Sequence, residues 1–194
     1  MADADAPRAV VERQTRETTV RVALDGGTSN LSVPVGFFRH MLQAAQTTWG
    51  IPLEVTASGD VDVDPHHLVE DVGIVLGEAV REAWSGYRGI ARYGWAVVAM
   101  DEARASVALD LSGRPGAWVS AMPEEPVAGL DSEVLVEFFS GFARGGRLTV
   151  HVTGEAGRNK HHRWEAGFKA LGLALREATQ PRGDGPLSSK GVIE

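Results

Sequence analysis

The chain has 194 residues, 43% of them hydrophobic, and a formal net charge of -7, which suits one compact domain or two fused halves sharing a core. The negative charge argues against nucleic acid or an anionic membrane as the main partner, and the absence of cysteine excludes disulfides and thiolate metal ligands. No apolar run approaches the roughly 20 residues of a membrane span, and residues 1–7 lack a signal-peptide pattern, so we expect a cytoplasmic protein.

The first half of the chain predicts strands, a helix, further strands and a second helix. Alternating apolar residues predict strands at 19–24, 30–35, 53–57 and 61–63, and helical spacing covers 36–48. Pro65 suits the first turn of a helix that begins at the following histidines. This second helix has a core-facing stripe, made of Val69, Val72, Leu76, Ala79 and Ala83.

The second half predicts the same kinds of element. Strands are expected at 95–100, 106–111 and 148–153, a turn at 112–116 and a helix at 134–143. The alternation in the last strand puts His151 on its polar face. A final helix has an apolar stripe, made of Trp164, Phe168, Leu171, Leu175 and Ala178, and a Gly- and Pro-rich tail follows. We therefore predict an α+β fold with sheets packed on a layer of helices.

A repeated sequence indicates that the chain is a duplication. The motif HHLVE at 66–70 recurs as HHRWE at 161–165, which is 95 residues later, and the matches continue along both helices. VALD at 22–25 recurs at 107–110, and Glu17 has a counterpart in Glu102. Two copies are too few for a solenoid, so the halves should pack face to face. We assign 1–88 to the first half-domain and 89–194 to the second.

The repeated HHxxE motif has the spacing of metal ligands. Residues i and i+4 lie on one face of a helix, so His66 and Glu70 can hold one ion, while His67 lies about 100° around the axis and suits a second ion. Two such motifs predict two metals, with each copy contributing to both. Four of the six histidines belong to the motifs; the alternative is that surface histidines are scattered by chance.

The order and spacing of several motifs resemble the imidazoleglycerol-phosphate dehydratase family of histidine biosynthesis over nearly the whole chain. These motifs are RETTV (16–20), GFFRHML (36–42), GDVDVDPHHLVEDVGI (59–74), GIARYG (89–94), MDEA (100–103), DLSGRP (110–115), FF (138–139), LTVH (148–151), NKHHRWEAGFKA (159–170) and SSKG (188–191). The resemblance implies a tandem repeat of a small α+β unit like the second domain of ribosomal protein S5. It also implies assembly from trimers into a hollow shell of octahedral symmetry, with active sites between subunits.

The resemblance further implies a dinuclear manganese site that uses every histidine of the chain. Imidazole and carboxylate donors also suit Fe or Co. Eight ligands over two octahedral ions leave positions open for substrate. The ligands matched are His40, His66, His67, Glu70, His151, His161, His162 and Glu165.

The reaction implied by the resemblance is that of a carbon–oxygen lyase, the dehydration of D-erythro-imidazole glycerol phosphate to imidazole acetol phosphate. The family holds the imidazole ring as an imidazolate between two cations, so that it expels hydroxide and leaves a diazafulvene. Loss of the neighbouring proton gives an enol, which becomes the ketone. Glu165 matches the proton-shuttling carboxylate and Glu17 an acidic residue at the substrate. The phosphate contacts matched are Arg92, Arg114, Lys169, Ser188 and Lys190.

The chain departs from the family pattern at two places near His40. Arg39 stands where the family has Asp, and Thr48-Trp49 stands where it has His-Gly. The alternative they favour is a paralogue that dehydrates a related phosphorylated azole or polyol, in which Trp49 would line an altered pocket. An alternative of another class is a non-catalytic metal-binding shell protein. The retained Glu17 and phosphate contacts argue against it, because a scaffold needs no phosphate pocket.

Overall fold

The structure, a computed structural model, describes residues 8–24, 26–183, 187–188 and 193. The first half contains β1 (Ala9–Gln14), β2 (Thr18–Leu24), β3 (Asn30–Ser32), α1 (Gly36–Trp49), β4 (Glu54–Gly59) and α2 (His66–Ala83). The second half contains β5 (Tyr93–Met100), β6 (Ala103–Asp110), β7 (Gly116–Ser120), α3 (Ser132–Gly146), β8 (Thr149–Ala156) and α4 (Lys160–Ala178). The predicted α+β class is confirmed.

The two halves build sheets of the same topology. The strand order is β1-β2-β4-β3 in the first sheet and β5-β6-β8-β7 in the second. In each sheet the last pair, β3 with β4 and β7 with β8, is parallel, and the other pairs are antiparallel. The order of the strands and the direction of each strand pair are therefore the same in both halves, as expected for a duplicated unit. The boundary at 88 stays a prediction.

The strand register corrects one part of the sequence repeat. Val55 and Val150 are equivalent at the 95-residue offset, and they pair with Val22 and Leu109 respectively. The structural counterpart of Val22 is therefore Leu109, and the VALD match, which aligned Val22 with Val107, is two residues out of register. A shift of two keeps every side chain on its face, which explains why Val22 and Val107 are both buried.

Three short segments differ from the elements expected. The strand predicted at 61–63 is wrong, since these residues form a turn in which the carbonyl of Asp60 accepts from the amides of Val63 and Asp64 at 2.8 and 3.2 Å. The edge strand β1 was not predicted, because only Ala9 and Val11 of its side chains are buried. The strand β7 was not predicted either; it begins at Gly116, directly after the proline of the expected turn.

The helices join the halves. The helix α2 covers the first sheet and α4 the second, while α3 packs on α2 and α1 packs on α4. The equivalent glycines Gly77 and Gly172 lie at these helix crossings: a Cβ at Gly77 would lie 2.3 Å from the Phe142 carbonyl oxygen, and one at Gly172 would lie 2.1 Å from that of Ala45. Backbones therefore touch at both crossings, and the first turn of α1 is brought beside α4.

The core lies between the helices and the inner sheet faces. Both predicted helix stripes are buried except at Ala83, which is half-buried. Within the described part of the chain, no helix is long and apolar enough to cross a membrane.

Candidate metal and substrate site

His40, His161 and Glu165 form the most compact group of ligand atoms. His40 comes from the first turns of α1, and the other two lie one helical turn apart on α4. The Nε2 atoms of His161 and His40 lie 3.2 and 3.6 Å from Oε2 of Glu165. One ligand atom from each residue fits within 4.8 Å of the others, and among the described residues this is the one such group of three. Two imidazoles and a carboxylate at this spacing suit a divalent cation.

Both motif helices begin in the same way. The side-chain oxygen of Asn159 accepts from the amides of His161 and His162 at 2.9 and 3.4 Å, and that of Asp64 accepts from the amide of His66 at 2.8 Å. Asp64 and Asn159 are equivalent at the 95-residue offset. An acceptor before the first turn satisfies free helical N–H groups, so both histidine pairs are held at a defined helix start.

Glu165 is a buried carboxylate held by a lysine of its own helix. Its Oε1 accepts from Nζ of Lys169 at 2.8 Å. Burial opposes ionisation, but the hydrogen bond and charge of Lys169, together with His40 and His161, outweigh it and lower the pKa of Glu165. The group is therefore ionised at neutral pH and can act as a ligand or a proton acceptor.

The first copy of the motif is more open. The Nε2 atom of His66 lies 4.0 Å from Oε2 of Glu70, and Oε1 of Glu70 accepts from Arg144 of α3 at 2.7 Å. His66 and Glu70 thus share one side of α2. Among the described residues, no third donor completes this pair in the way that His40 completes the second copy.

The second histidine of each motif faces a different set of acids. Nδ1 of His67 lies 3.2 Å from Asp60 and 3.7 Å from Glu17, and Nδ1 of His162 lies 2.8 Å from Glu102. The hydrogen bonds to Asp60 and Glu102 raise the pKa of the two histidines.

Glu102 is the corresponding acid of the second copy. The hydrogen bond from His162, followed by that from the Asn159 amide, lowers the pKa of Glu102 to about 2. Sequence reasoning missed the pairing of Asp60 and Glu102 with the histidines. For Glu102 the signal was its match with Glu17, which lies 3.7 Å from His67.

His151 lies apart from the other histidines, on the sheet face opposite the helices. Its ring stacks on Trp118 with a centroid distance of 4.7 Å and an interplanar angle of 11°. Strand register aligns Trp95, Ala108, His151 and Trp118 in one row across the second sheet. Trp95 is 67% exposed and Trp118 53%. The structure thus puts one expected ligand on an exposed aromatic surface.

The residues expected to hold phosphate fall into two groups. The guanidinium of Arg92 donates to both oxygens of Asp110 at 2.7 and 3.1 Å and also to the carbonyl of Leu187, and Arg114 donates to Asp110 at 3.4 Å. The amide of Arg92 binds the carbonyl of Ala178, so this group lies at the end of α4. Lys169 lies nine residues earlier, about 13 Å along the helix.

The tail residues complete the expected set only in part. Ser188 follows Leu187, whose carbonyl binds Arg92, while Lys190 lies outside the described residues.

The two departures near His40 have different surroundings. Arg39 donates to the carbonyl of Val33 at 2.8 Å. Trp49 is 3% exposed and stacks on Trp84, so the expectation that it lines a pocket is wrong: it continues the buried stripe of α1. Thr48, in contrast, lines a cavity of about 270 Å³ with His40, Glu165 and Lys169, and its hydroxyl donates to the Lys169 carbonyl at 2.9 Å.

Comparisons with known proteins agree with this arrangement. The family model for imidazoleglycerol-phosphate dehydratase matches residues 33–175. The chain is 48% identical to that enzyme of Desulfitobacterium hafniense over 193 residues, covering 95% of this chain and 97% of the relative. It is 47% identical to that of Moorella thermoacetica over 191 residues, with coverage of 95% and 97%.

A solved structure extends the likeness to the fold. The crystal structure of IGPD from Pyrococcus furiosus in complex with (S)-C348 superposes with a TM-score of 0.85 at 38% identity, covering 94% of this chain and all (100%) of that one. The chain therefore belongs to the imidazoleglycerol-phosphate dehydratase family.

Proposed function

We propose that the chain dehydrates imidazoleglycerol phosphate to imidazole acetol phosphate, as a metal-dependent hydro-lyase of histidine biosynthesis. The observation that carries the proposal is the group of His40, His161 and Glu165, a buried ionised carboxylate with two imidazoles within 3.6 Å. It lies beside a cavity large enough for a small ligand. Family membership supplies the substrate class.

Two manganese ions are the proposed cofactor, as the family resemblance implies, and the imidazole and carboxylate donors suit manganese, iron or cobalt. The chain offers six imidazoles and two motif carboxylates, with no thiolate. The proposed ligands are the eight matched residues, of which His40, His161 and Glu165 already converge within one chain. When bound, the ions polarise the imidazole ring of the substrate and favour its deprotonated form.

Glu165 is the proposed proton shuttle. Lys169 occupies its Oε1, so its Oε2 is the atom directed towards His40 and His161. A carboxylate kept ionised in a buried site can accept a proton from carbon and return it. Glu17, at 3.7 Å from His67, is the proposed second acid at the substrate.

The phosphate of the substrate is proposed to bind Arg92, Arg114, Lys169, Ser188 and Lys190. Guanidinium groups suit this task because they donate two parallel hydrogen bonds to an oxyanion. Asp110 contacts both Arg92 and Arg114, whereas Lys169 lies farther back along α4, away from the two arginines. Separate groups in one chain support a site built from residues of more than one copy.

Self-association is proposed for the same reason. His151 stacks on Trp118 on an exposed aromatic face, away from the other ligands. Exposed tryptophans of this kind mark contact surfaces in proteins. A second copy on this face would bury Trp95 and Trp118 and bring His151 to another chain's motif. Trimers that associate into an octahedral shell are the proposed assembly.

A second candidate substrate is a related phosphorylated azole or polyol. Thr48 lines the cavity beside Glu165, and it stands at the position where the family pattern has a histidine. A hydroxyl is shorter than an imidazole and carries no positive charge, so one contact to substrate is altered. Trp49 does not contribute, because it is buried.

The proposal is tested by turnover of imidazoleglycerol phosphate. Purified chain is stripped with a chelator, reloaded with manganese and assayed for formation of the ketone. We expect activity only in the loaded sample, and a loss of about 10²- to 10⁴-fold in a loaded Glu165→Gln variant. Metal binding without turnover of this substrate would contradict the proposal and favour the related substrate or the non-catalytic scaffold.

A further inference from the structure

The two motif carboxylates are held in the same way by different elements. In each, one oxygen faces a histidine and the other accepts from a cation. For Glu165 the cation is Lys169, four residues later on the same helix, at 2.8 Å. For Glu70 it is Arg144 of α3, at 2.7 Å.

The sequence explains why different basic residues contact the two glutamates. The position equivalent to Lys169 in the first copy is Ile74, an apolar residue 9% exposed. The helix α2 therefore supplies no cation one turn after Glu70. In this copy no residue of α2 takes the place of Lys169, and Arg144 from the other half of the chain contacts the carboxylate instead.

Close helix packing is what lets Arg144 reach Glu70. A Cβ at Gly141 would lie 2.5 Å from the carbonyl oxygen of Glu70, and one at Gly145 would lie 2.0 Å from that of Ile74. The two glycines are one turn apart on α3, so the backbone of α3 lies directly on α2 beside the motif. Arg144 precedes Gly145 and projects next to the carboxylate.

We propose that Arg144 is a positioning residue for Glu70. It holds Oε1 and leaves Oε2, the oxygen facing His66, as the single atom that binds one of the two ions. The inference rests on the proposed function, since it requires a metal at the first copy of the motif. Groups that orient a metal ligand in this way typically change metal affinity by about 10- to 100-fold.

If the ion pair had a purely structural role, loss of Arg144 would lower the stability of the fold instead of the affinity for metal. The Arg144 side chain is 56% exposed and that of Glu70 is 25% exposed, and exposed pairs of this kind add little to stability. Solvent also screens the repulsion between the guanidinium and a nearby ion. Loss of Arg144 should thus leave the fold intact and change the affinity for one ion.

The test is a manganese titration of the metal-free chain, in which the electron paramagnetic resonance of free Mn²⁺ measures how much metal remains unbound. Wild type is compared with Arg144→Gln and Arg144→Lys. The control is Arg147→Gln, because Arg147 directly follows the same helix as its C-cap and makes no ion pair with any described residue. We expect Arg144→Gln to weaken one of two ions about 10- to 100-fold and to leave the other unchanged. Arg144→Lys should recover most of the affinity, and the thermal midpoint should match the control.

Two results would overturn the inference while leaving the proposed function in place: unchanged affinity for both ions in Arg144→Gln, or tighter binding, which would show that Arg144 competes with metal. Failure of the proposed function has a different signature, because wild type itself would then bind no manganese or show no turnover. A wild-type chain that binds no ion overturns both.

Discussion

The two sheets share their topology but differ on their outer faces. The same row of four strands reads Glu12, Arg21, Thr56 and Ser32 in the first sheet and Trp95, Ala108, His151 and Trp118 in the second. In the first row Arg21 pairs with Glu12 at 3.1 Å, as suits a solvated surface. In the second row a metal-ligand candidate is stacked on an exposed indole. The two halves are alike in their inner sheet faces and helix crossings, and they differ on the outer faces of their sheets.

The same divergence separates the two motifs. The second copy is compact, with His40 and Lys169 around the buried carboxylate of Glu165. The first copy is open, with Glu70 facing His66 at 4.0 Å. We infer that the second copy does more of the proton transfer and that the first copy depends more on a neighbouring chain for its remaining ligands.

The largest effect is expected from the two carboxylates. Glu165→Gln should lower turnover by about 10²- to 10⁴-fold, since it removes the proton acceptor and a ligand charge. Glu70→Gln should act chiefly through weaker manganese binding, so excess metal should restore part of its activity. Steady-state kinetics at a series of manganese concentrations distinguishes the loss of the proton acceptor from weaker metal binding. Equal, metal-independent losses in both variants would break the distinction between the copies.

The next effect concerns the outer face of the second sheet. Exchanging its tryptophans for their counterparts, as Trp95→Glu with Trp118→Ser, should dissociate the assembly, because a buried tryptophan commonly contributes about 2 kcal/mol or more, or roughly 30-fold, to an interface. Sedimentation velocity should show a smaller particle. The control is Arg21→Ala on the first sheet, which should leave its size unchanged. An unchanged particle in the double variant would remove this face from the interface.

A smaller effect is expected at the helix crossings. Gly77→Ala and Gly172→Ala each put a methyl group against backbone atoms, at 2.3 and 2.1 Å, and such overpacking costs about 1–3 kcal/mol. Urea denaturation measures the free energy of unfolding. Similar losses in both variants would show that the crossings are equivalent, whereas stability in either would mean that its helix pair can separate. Gly36→Ala, at a site in α1 with no neighbour within 4 Å and no positive φ, is the control for an added methyl group without crowding.

The smallest effect concerns pH. Glu102 raises the pKa of His162 by hydrogen bonding, so protons compete with metal up to a higher pH than for an ordinary histidine. The protonated pair favours the metal-free fold below the ordinary pKa, and this contribution is lost as pH rises through the raised pKa. Manganese affinity should therefore fall as the pH drops through the raised pKa of His162, which is at a higher pH than for an ordinary histidine. Glu102→Gln should move the fall to lower pH, and titrations at several pH values check this.

The fold was largely predictable from local patterns. The stripes of α2 and α4 follow helical spacing, and Pro65 and Asn159 precede the histidines at the helix starts. The burial of Trp49 was also readable, because it lies four residues after Ala45 on the buried stripe of α1.

The parts that sequence could not provide depend on contacts between distant elements. Arg144 and Glu70 are 74 residues apart, and only the crossing of α3 on α2 brings them together. The edge strands β1 and β7 are held mainly by backbone pairing, which leaves little pattern in the side chains. The convergence of His40 with Glu165 likewise required the packing of α1 on α4.

Titration of the metal-free chain with manganese, with turnover of imidazoleglycerol phosphate measured at each step, tests most directly whether the duplicated motifs form a two-ion dehydratase. We expect no activity without metal, a rise with added manganese, and saturation at two ions per chain. Full activity in the presence of chelator, or saturation of the sites with no turnover, would contradict this conclusion.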